Sequence, residues 1–217
     1  MALKNKDSVA TPIADQQHAQ SPSTIAGKED WRTDIREAVA VMRRGGVIAY
    51  PTDTIWGLGC DATNEAAVRR IFEVKHRKEG QAMIVLIDSP AKLQGLVKDI
   101  PEVAWSLMEL SEKPLTIVFD GGRNVAQDLL GADGSLGIRV TKEAFSKELC
   151  FRMGRAVVST SANVSGHPAP KRFEDIELEI LNSVDYVCLS RQNESQKASA
   201  SSILKLGKDG AVKVIRQ

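Results

Sequence analysis

The sequence has few cysteines, few aromatic residues and almost no net charge. Its three cysteines, Cys60, Cys150 and Cys188, are widely spaced, with no Cys-x-x-Cys pair and no histidine at ligand spacing. An odd, scattered set of this kind indicates neither a disulfide framework nor a zinc site, so reduced cytosolic thiols are the default expectation.

Charge and hydropathy exclude other classes. Lysine and arginine number 29 against 28 acidic residues, so any contact with a polyanion must come from a local patch. No apolar run approaches the roughly 18 residues of a membrane span, and the first residues lack the apolar core of a signal peptide. We therefore expect a soluble cytoplasmic protein with no membrane association.

The composition, 42% hydrophobic and 26% charged, is typical of one globular domain. Residues 1–29 are rich in small and polar residues, include Pro12 and Pro22, and show little apolar periodicity. Such a segment buries too little surface to offset its ordering entropy. We expect a disordered tail over residues 1–29 and one domain over residues 30–217.

The most informative stretch is residues 45–59, where a polar turn follows a strand. The apolar run Val47–Tyr50 predicts a buried strand, which Pro51 ends. Residues 52–54 then supply a hydroxyl, a carboxylate and a second hydroxyl, and glycines follow at 57 and 59. Such a turn can aim small donors and acceptors at a ligand, and an ordinary strand exit is the alternative.

The rest of the chain alternates helical and extended patterns, which predicts an α/β fold. Helices are expected from Asp30 to Gly45, after Asn64, Ser89, Pro101 and Thr141, and over 171–181; strands are expected at 83–87, 115–119, 134–140, 156–158, 185–189, 202–206 and 211–215. The strand at 156–158 runs into a second small-polar loop, residues 159–166. In open α/β sheets ligands collect at such carboxyl ends.

Two cationic features have an ordinary explanation beside a functional one. Lys75 begins a basic run, residues 75–78, at a helix C-terminus, where the macrodipole stabilises cations with or without a phosphate. Arg139 lies between apolar neighbours near a strand end, where a solvent-facing residue is commoner than a placed anion fork. Thr116 inside its strand fits β-branched packing. Taken by themselves, Lys75, Arg139 and Thr116 favour these structural explanations over a ligand site.

Taken together, the motifs resemble the YrdC-like family of threonylcarbamoyl-AMP synthases over roughly residues 31 to 216. The matching stretches are Tyr50–Gly59, Lys75-x-Arg77, Pro114–Thr116, Ile138–Val140 and Ser159–Asn163, with Ser201, Ser202 and Arg216 fitting the closing hairpin. The chain departs from the family's pattern at Lys78, Gln81, Ala82, Leu86 and Glu112. We expect a short, single-domain form without the C-terminal domain of the longer members.

The resemblance implies a twisted mixed sheet with packed helices and a concave ligand-binding face. It also implies an enzyme, a nucleotidyltransferase that joins L-threonine, bicarbonate or CO2 and ATP into threonylcarbamoyl-AMP and pyrophosphate for tRNA modification. Downstream partners would be the tRNA threonylcarbamoyl-transferase proteins. Phosphoryl chemistry of this kind depends on positioning and charge neutralisation, which fits the lack of a nucleophile triad and of a P-loop.

The same resemblance assigns the site residues. ATP would be bound by Lys75, Arg77, Thr116, Ser161, Asn163 and Arg216, threonine by Thr52, Arg139 and Ser201, and the catalytic cations would be Lys75, Arg77 and Arg139. Mg²⁺ would bridge phosphate oxygens without dedicated protein ligands. Asp53 stays open: it orients Thr52 or Thr54, or caps the turn. No histidine is assigned to catalysis.

Two alternatives remain. An RNA-binding module of the same fold could use residues 75–78 and Lys171-Arg172, although near-neutral charge and the lack of aromatic stacking motifs weaken it. A carbamoyl-adenylate maker of the kind found inside hydrogenase-maturation proteins ranks third, because those proteins carry additional domains.

Overall fold

A computed structural model describes residues 26–77, 83–194 and 200–217. Most of the predicted tail, and the departures at Lys78, Gln81 and Ala82, lie outside these residues. The helices are α1 Ala26–Arg43, α2 Glu65–Val74, α3 Leu93–Leu96, α4 Val103–Leu110, α5 Ala144–Met153 and α6 Leu178–Ser183, with 3₁₀ turns at Pro90–Lys92, Gln127–Leu129 and Phe173–Asp175. The first helix begins at Ala26, before the predicted Asp30.

The strands form a mixed sheet in the order β7-β1-β2-β6-β3-β5-β4-β8-β9. They are β1 Ile48–Tyr50, β2 Gly57–Gly59, β3 Ile84–Ile87, β4 Leu115–Phe119, β5 Leu136–Val140, β6 Val157–Ser161, β7 Tyr186–Val187, β8 Ser202–Leu206 and β9 Val212–Arg216. The pairs β1/β7, β3/β5 and β4/β8 are parallel, and the other five are antiparallel. Helix α1 packs on α5, β1 and β7, and α5 packs on β3. The predicted α/β class and mixed sheet are confirmed.

Side-chain hydrogen bonds determine where helices α2 and α5 begin. Asn64 caps α2 as predicted, since its side-chain oxygen accepts from the Ala67 amide at 3.0 Å. Thr141 is the wrong cap for α5, because the Glu143 carboxylate accepts from the amides of the first turn. The buried Thr141 hydroxyl instead lies 2.6 Å from the Ser146 hydroxyl. The predicted helix over 171–181 is also wrong, because extended backbone at Ile176 separates a 3₁₀ turn from α6.

The sequence predicts a polar turn that includes Gly57 and Gly59, whereas the structure has strand β2 there. The strand pairs with β1 on one side and, through Gly57 and Leu58, with β6 on the other. Gly59 lies against the buried Tyr50 ring, where a Cβ would stand 2.6 Å from Cε1. Pairing with β2 and β3 also carries β6 through Ser161, beyond the predicted end at residue 158. Cross-strand pairing therefore overrides the polar local sequence.

Candidate active site

One row of paired residues crosses five strands and brings three of the predicted site residues together. Leu86, Arg139, Thr116, Ile203 and Arg216 are successive partners on β3, β5, β4, β8 and β9. Directly paired residues point to the same face of a sheet, and neighbouring strands lie about 4.8 Å apart. The sheet therefore presents two guanidinium groups and a hydroxyl on one face.

A bulge in β9 turns Arg216 toward this face. Ile203 pairs with Arg216 while Leu204 pairs with Val214, which leaves Ile215 as the extra residue. In a regular ladder Ile215 would stand opposite Ile203 and share its face, whereas the bulge gives that position to the arginine. Sequence alternation alone does not predict this orientation.

The row forms part of a pocket of about 260 Å³. Of the predicted site residues, Thr52, Arg77, Arg139, Ser161, Ser201 and Arg216 line it. Lys75, Thr116 and Asn163 are buried and lie outside that lining. The structure thus brings most of the set to one concave face and places three members behind it.

Arg139 is buried in an ion pair. Its Nη2 lies 3.0 Å from Oδ1 of Asp53, and the two side chains are 3% and 11% exposed. The solvent-facing reading of Arg139 is therefore wrong. Burial raises the pKa of the Asp53 carboxyl, and Arg139 acts in the opposite direction. In the described part of the chain, Arg139 Nε has no hydrogen-bond partner.

Thr52 organises the polar turn. Its hydroxyl donates to the Ile55 carbonyl at 2.8 Å and accepts from the Thr54 amide at 3.1 Å. The Thr52 carbonyl in turn accepts from Arg191 at 3.1 Å, and Arg191 also pairs with Glu194 at 2.8 Å. Sequence reasoning missed Arg191, because no motif links a loop arginine to a turn so far away in the chain.

Lys75 lies under the second polar loop. It is 1% exposed, and its Nζ donates to the carbonyls of Ser161 and Asn163, the latter at 2.7 Å. Burial, with a smaller effect of Arg77, lowers the pKa of Lys75 to about 8. Lys75 is therefore not a solvated residue at a helix end. The Asn163 amide braces the same loop by donating to the carbonyls of Val164 and His167.

The Thr116 hydroxyl at the centre of the row is linked to Arg216 through Ser201. Thr116 and Ser201 lie 2.9 Å apart through their side-chain oxygens, so Thr116 does more than pack. Arg216 donates from Nε and Nη2 to the Ser201 carbonyl at 3.0 and 2.8 Å. Arg77 also lines the pocket, and burial lowers the pKa of its guanidinium.

Comparison with known proteins decides the family. The Sua5/YciO/YrdC family model, described as "telomere recombination", matches residues 40–217. The chain belongs to this family. The resemblance drawn from the motifs is confirmed.

Curated members of the Sua5/YciO/YrdC family are close relatives in sequence. The threonylcarbamoyl-AMP synthase of Thiobacillus denitrificans is 41% identical over 133 residues, which is 61% of this chain and 71% of the relative. That of Nitrosococcus oceani is 33% identical over 159 residues, which is 73% of this chain and 85% of the relative. These relatives agree with the predicted nucleotidyltransferase class.

Solved Sua5/YciO/YrdC structures share the fold. Pyrococcus abyssi Sua5 complexed with L-threonine has a TM-score of 0.77 and 29% identity, over 84% of this chain and 53% of that one. Escherichia coli YciO has a TM-score of 0.74 and 25% identity, over 86% of this chain and 89% of that one. The chain spans about half the length of the Sua5 structure.

Among residues 26–77, 83–194 and 200–217, no group of three or more His, Cys, Asp or Glu side chains could hold a metal ion. No helix there is both long and apolar enough to span a bilayer.

Proposed function

We propose that the protein is an L-threonylcarbamoyladenylate synthase, which makes threonylcarbamoyl-AMP and pyrophosphate from L-threonine, bicarbonate or CO2 and ATP. The product serves threonylcarbamoyladenosine formation in tRNA, through threonylcarbamoyl-transferase proteins in the cytoplasm. The observation that carries the proposal is the buried Arg139 guanidinium, which opens onto a pocket bordered by two further arginines. The names of the curated relatives support it.

Arg139 is suited to the carboxylate of threonine. A guanidinium fork matches a carboxylate in a plane, and Nε of Arg139 lacks a hydrogen-bond partner among the described residues. Thr52 and Ser201 line the same pocket with small hydroxyl groups, which can read the amino-acid side chain. Sua5 of Pyrococcus abyssi, with the same fold, was crystallised with L-threonine.

The nucleotide would lie over the rest of the row. Arg77 and Arg216 border the pocket with Ser161, and their charges suit a triphosphate. Thr116 supports Ser201 from within the sheet. Lys75 and Asn163 remain part of the proposed ATP site. Both hold the backbone of the loop that follows β6, and they would position the nucleotide through that loop.

These residues would act by position and charge. The threonine amine becomes a carbamate, whose oxygen attacks the α-phosphorus as pyrophosphate departs in line. Arg77, Arg216 and Lys75 would offset the negative charge that spreads over the phosphates. The lining offers guanidinium and hydroxyl groups rather than carboxylates. Mg²⁺ would therefore be held between phosphate oxygens, where it neutralises charge.

The test is pyrophosphate release from ATP and bicarbonate with L-threonine, with L-serine, or with no amino acid. We expect threonine to stimulate release strongly, and Arg139→Ala to abolish that stimulation. Arg36→Ala, at an exposed arginine, is the matched control and should behave as the wild type. Release that is independent of the amino acid, from folded protein, would contradict the proposal.

The RNA-binding alternative has less support from the described residues. Lys75 is buried, and Arg172 pairs with both Glu174 and Asp175, so neither residue offers an uncompensated surface charge to RNA. Weak RNA binding remains a prediction. RNA titrations at several salt concentrations test it, since phosphate contacts give a steep salt dependence.

A further inference from the structure

Asp53 is the acidic side chain that faces Arg139. The two neighbours of Arg139 across the sheet are Leu86 and Thr116. Leu86 is apolar, and the Thr116 hydroxyl is engaged with Ser201. Neither neighbour can balance the buried guanidinium, so the ion pair with Asp53 at 3.0 Å supplies the compensating charge. A buried cation without such a partner is strongly unfavourable.

Asp53 approaches Arg139 from outside the main pocket. Arg139 lines that pocket, whereas Asp53 lines two smaller cavities beside it. Its Oδ1 lies at ion-pair distance from Nη2. Among the described residues, Asp53 Oδ1 and Arg139 Nε are both buried without a hydrogen-bond partner, so the arginine keeps hydrogen-bonding capacity for a ligand. The geometry is that of a group that fixes the arginine and does not itself contact the amino acid.

The backbone that carries Asp53 is also fixed. The Thr52 hydroxyl ties together the main chain on both sides of Asp53 through Thr54 and Ile55. Arg191 holds the Thr52 carbonyl at 3.1 Å. A carboxylate on a turn restrained at three points can hold a guanidinium in one orientation. The sequence leaves two other roles for Asp53, which are to orient Thr52 or Thr54 or to cap the turn. This arrangement fits them less well, because the Thr52 hydroxyl itself makes the hydrogen bonds that cap the turn.

We propose that Asp53 is a positioning residue, which orients the Arg139 guanidinium so that its free edge reads the carboxylate of the amino-acid substrate. The inference rests on the proposed function for the identity of that substrate. Asp53 then determines how strongly the site distinguishes a free α-carboxylate from an uncharged amide. It would not contact the ammonium group.

The experiment compares binding of L-threonine and L-threoninamide by calorimetry, for the wild type and Asp53→Asn. The amide keeps the ammonium group and the side chain but lacks the carboxylate. We expect Asp53→Asn to weaken threonine binding about tenfold or more, the scale of a lost hydrogen bond to a charged group. Amide binding should change little, so the preference for threonine shrinks.

Asp61→Asn is the matched control. Asp61 is also a buried carboxylate, paired with Arg155 at 3.0 Å, and neither residue lines the pocket. The control should lower stability without changing the preference for threonine over the amide. If Asp53→Asn does not fold, Asp53→Glu keeps the charge and moves the carboxylate by one methylene. It should show the same selective loss of threonine binding.

The contrary outcomes are distinct. Unchanged threonine affinity in Asp53→Asn, with pyrophosphate release intact in the wild type, overturns the role of Asp53 and leaves the proposed function standing. An equal loss for both ligands places Asp53 on the ammonium and overturns the positioning role. A wild-type protein that neither binds threonine nor releases pyrophosphate in its presence overturns both proposals.

Discussion

Lys75 and Arg139 are cations at almost fully buried positions, and they are compensated in different ways. Arg139 has a carboxylate within 3.0 Å, whereas Lys75 donates to two backbone carbonyls. Carbonyl dipoles balance a buried charge less completely than an anion does. Burial accordingly lowers the pKa of Lys75 to about 8.

The stability of the folded protein should depend on Lys75 in a narrow pH window. Its pKa is lowered from an ordinary value of 10.5 to about 8, so between these values the unfolded chain binds more protons than the folded one. The free energy of unfolding should therefore rise with pH in that window, by at most about 1.4 kcal/mol per pH unit. Urea unfolding between pH 7.5 and 10 measures this rise.

Two variants isolate the contribution of Lys75. Lys75→Met removes the titrating group and should lose the relative gain in stability with pH, whereas Lys98→Met, at an exposed lysine, should keep it. Parallel pH curves for the wild type and Lys75→Met would contradict the assignment of a depressed pKa to this lysine.

Single residues also show how far the sequence predicts the site. Resemblance to a family identified Arg139, Arg77 and Arg216, and the pocket contains them. Residue pattern alone favoured a solvent-facing Arg139, because alternation in a strand does not reveal a counter-ion contributed by a distant turn. The contact between Asp53 and Arg139 is tertiary, and local sequence carries no signal of it.

At the scale of elements, β2 depends on close approach of backbone and ring. A Cβ on Gly59 would lie 2.6 Å from Cε1 of Tyr50 and 3.0 Å from the Val158 carbonyl. Gly59→Ala should therefore destabilise the protein by about 1–3 kcal/mol, since neither buried neighbour can move freely. Chemical denaturation measures the loss.

Gly95→Ala is the control for this strand. Gly95 lies in α3, and a Cβ there meets no atom within 4 Å. Alanine in a helix is favoured over glycine by roughly 0.5–1 kcal/mol, so this variant should be neutral or slightly stabilised. Equal effects of the two substitutions would show that crowding under Tyr50 is not what requires Gly59.

Elements with a regular local sequence pattern are easier to predict than strands that form only because neighbouring strands pair with them. Helix α2 and strand β4 follow from capping and from an apolar run, and the structure has both. Strand β2 and the end of β6 are polar or glycine-rich, and they are extended only because their neighbours in the sheet pair with them. The bulge that orients Arg216 likewise depends on the register with β8.

At the scale of the whole molecule, all three cysteines belong to the core. Cys60, Cys150 and Cys188 are fully buried, and burial raises the pKa of each thiol. A thiol-specific reagent should therefore label none of them in the native protein and all three in guanidinium chloride. Ser106→Cys, at an exposed position of α4, should label at once and serves as the positive control.

The labelling rate also reports opening of the fold. Cys60 follows β2, Cys150 lies in α5 and Cys188 follows β7. Because these segments are far apart in the chain, slow and equal labelling of all three would indicate one cooperative unit. Fast labelling of any of them under native conditions would contradict a single continuous core.

The proposed reaction joins the carbamate of threonine to the α-phosphorus of ATP. Mass spectrometry of the product tests this bond most directly. The protein is incubated with ATP, L-threonine and ¹³C-bicarbonate. We expect one product that contains AMP, threonine and the labelled carbon, formed together with an equal amount of pyrophosphate. Formation of ADP and phosphate, or of AMP without the labelled carbon, would contradict the account.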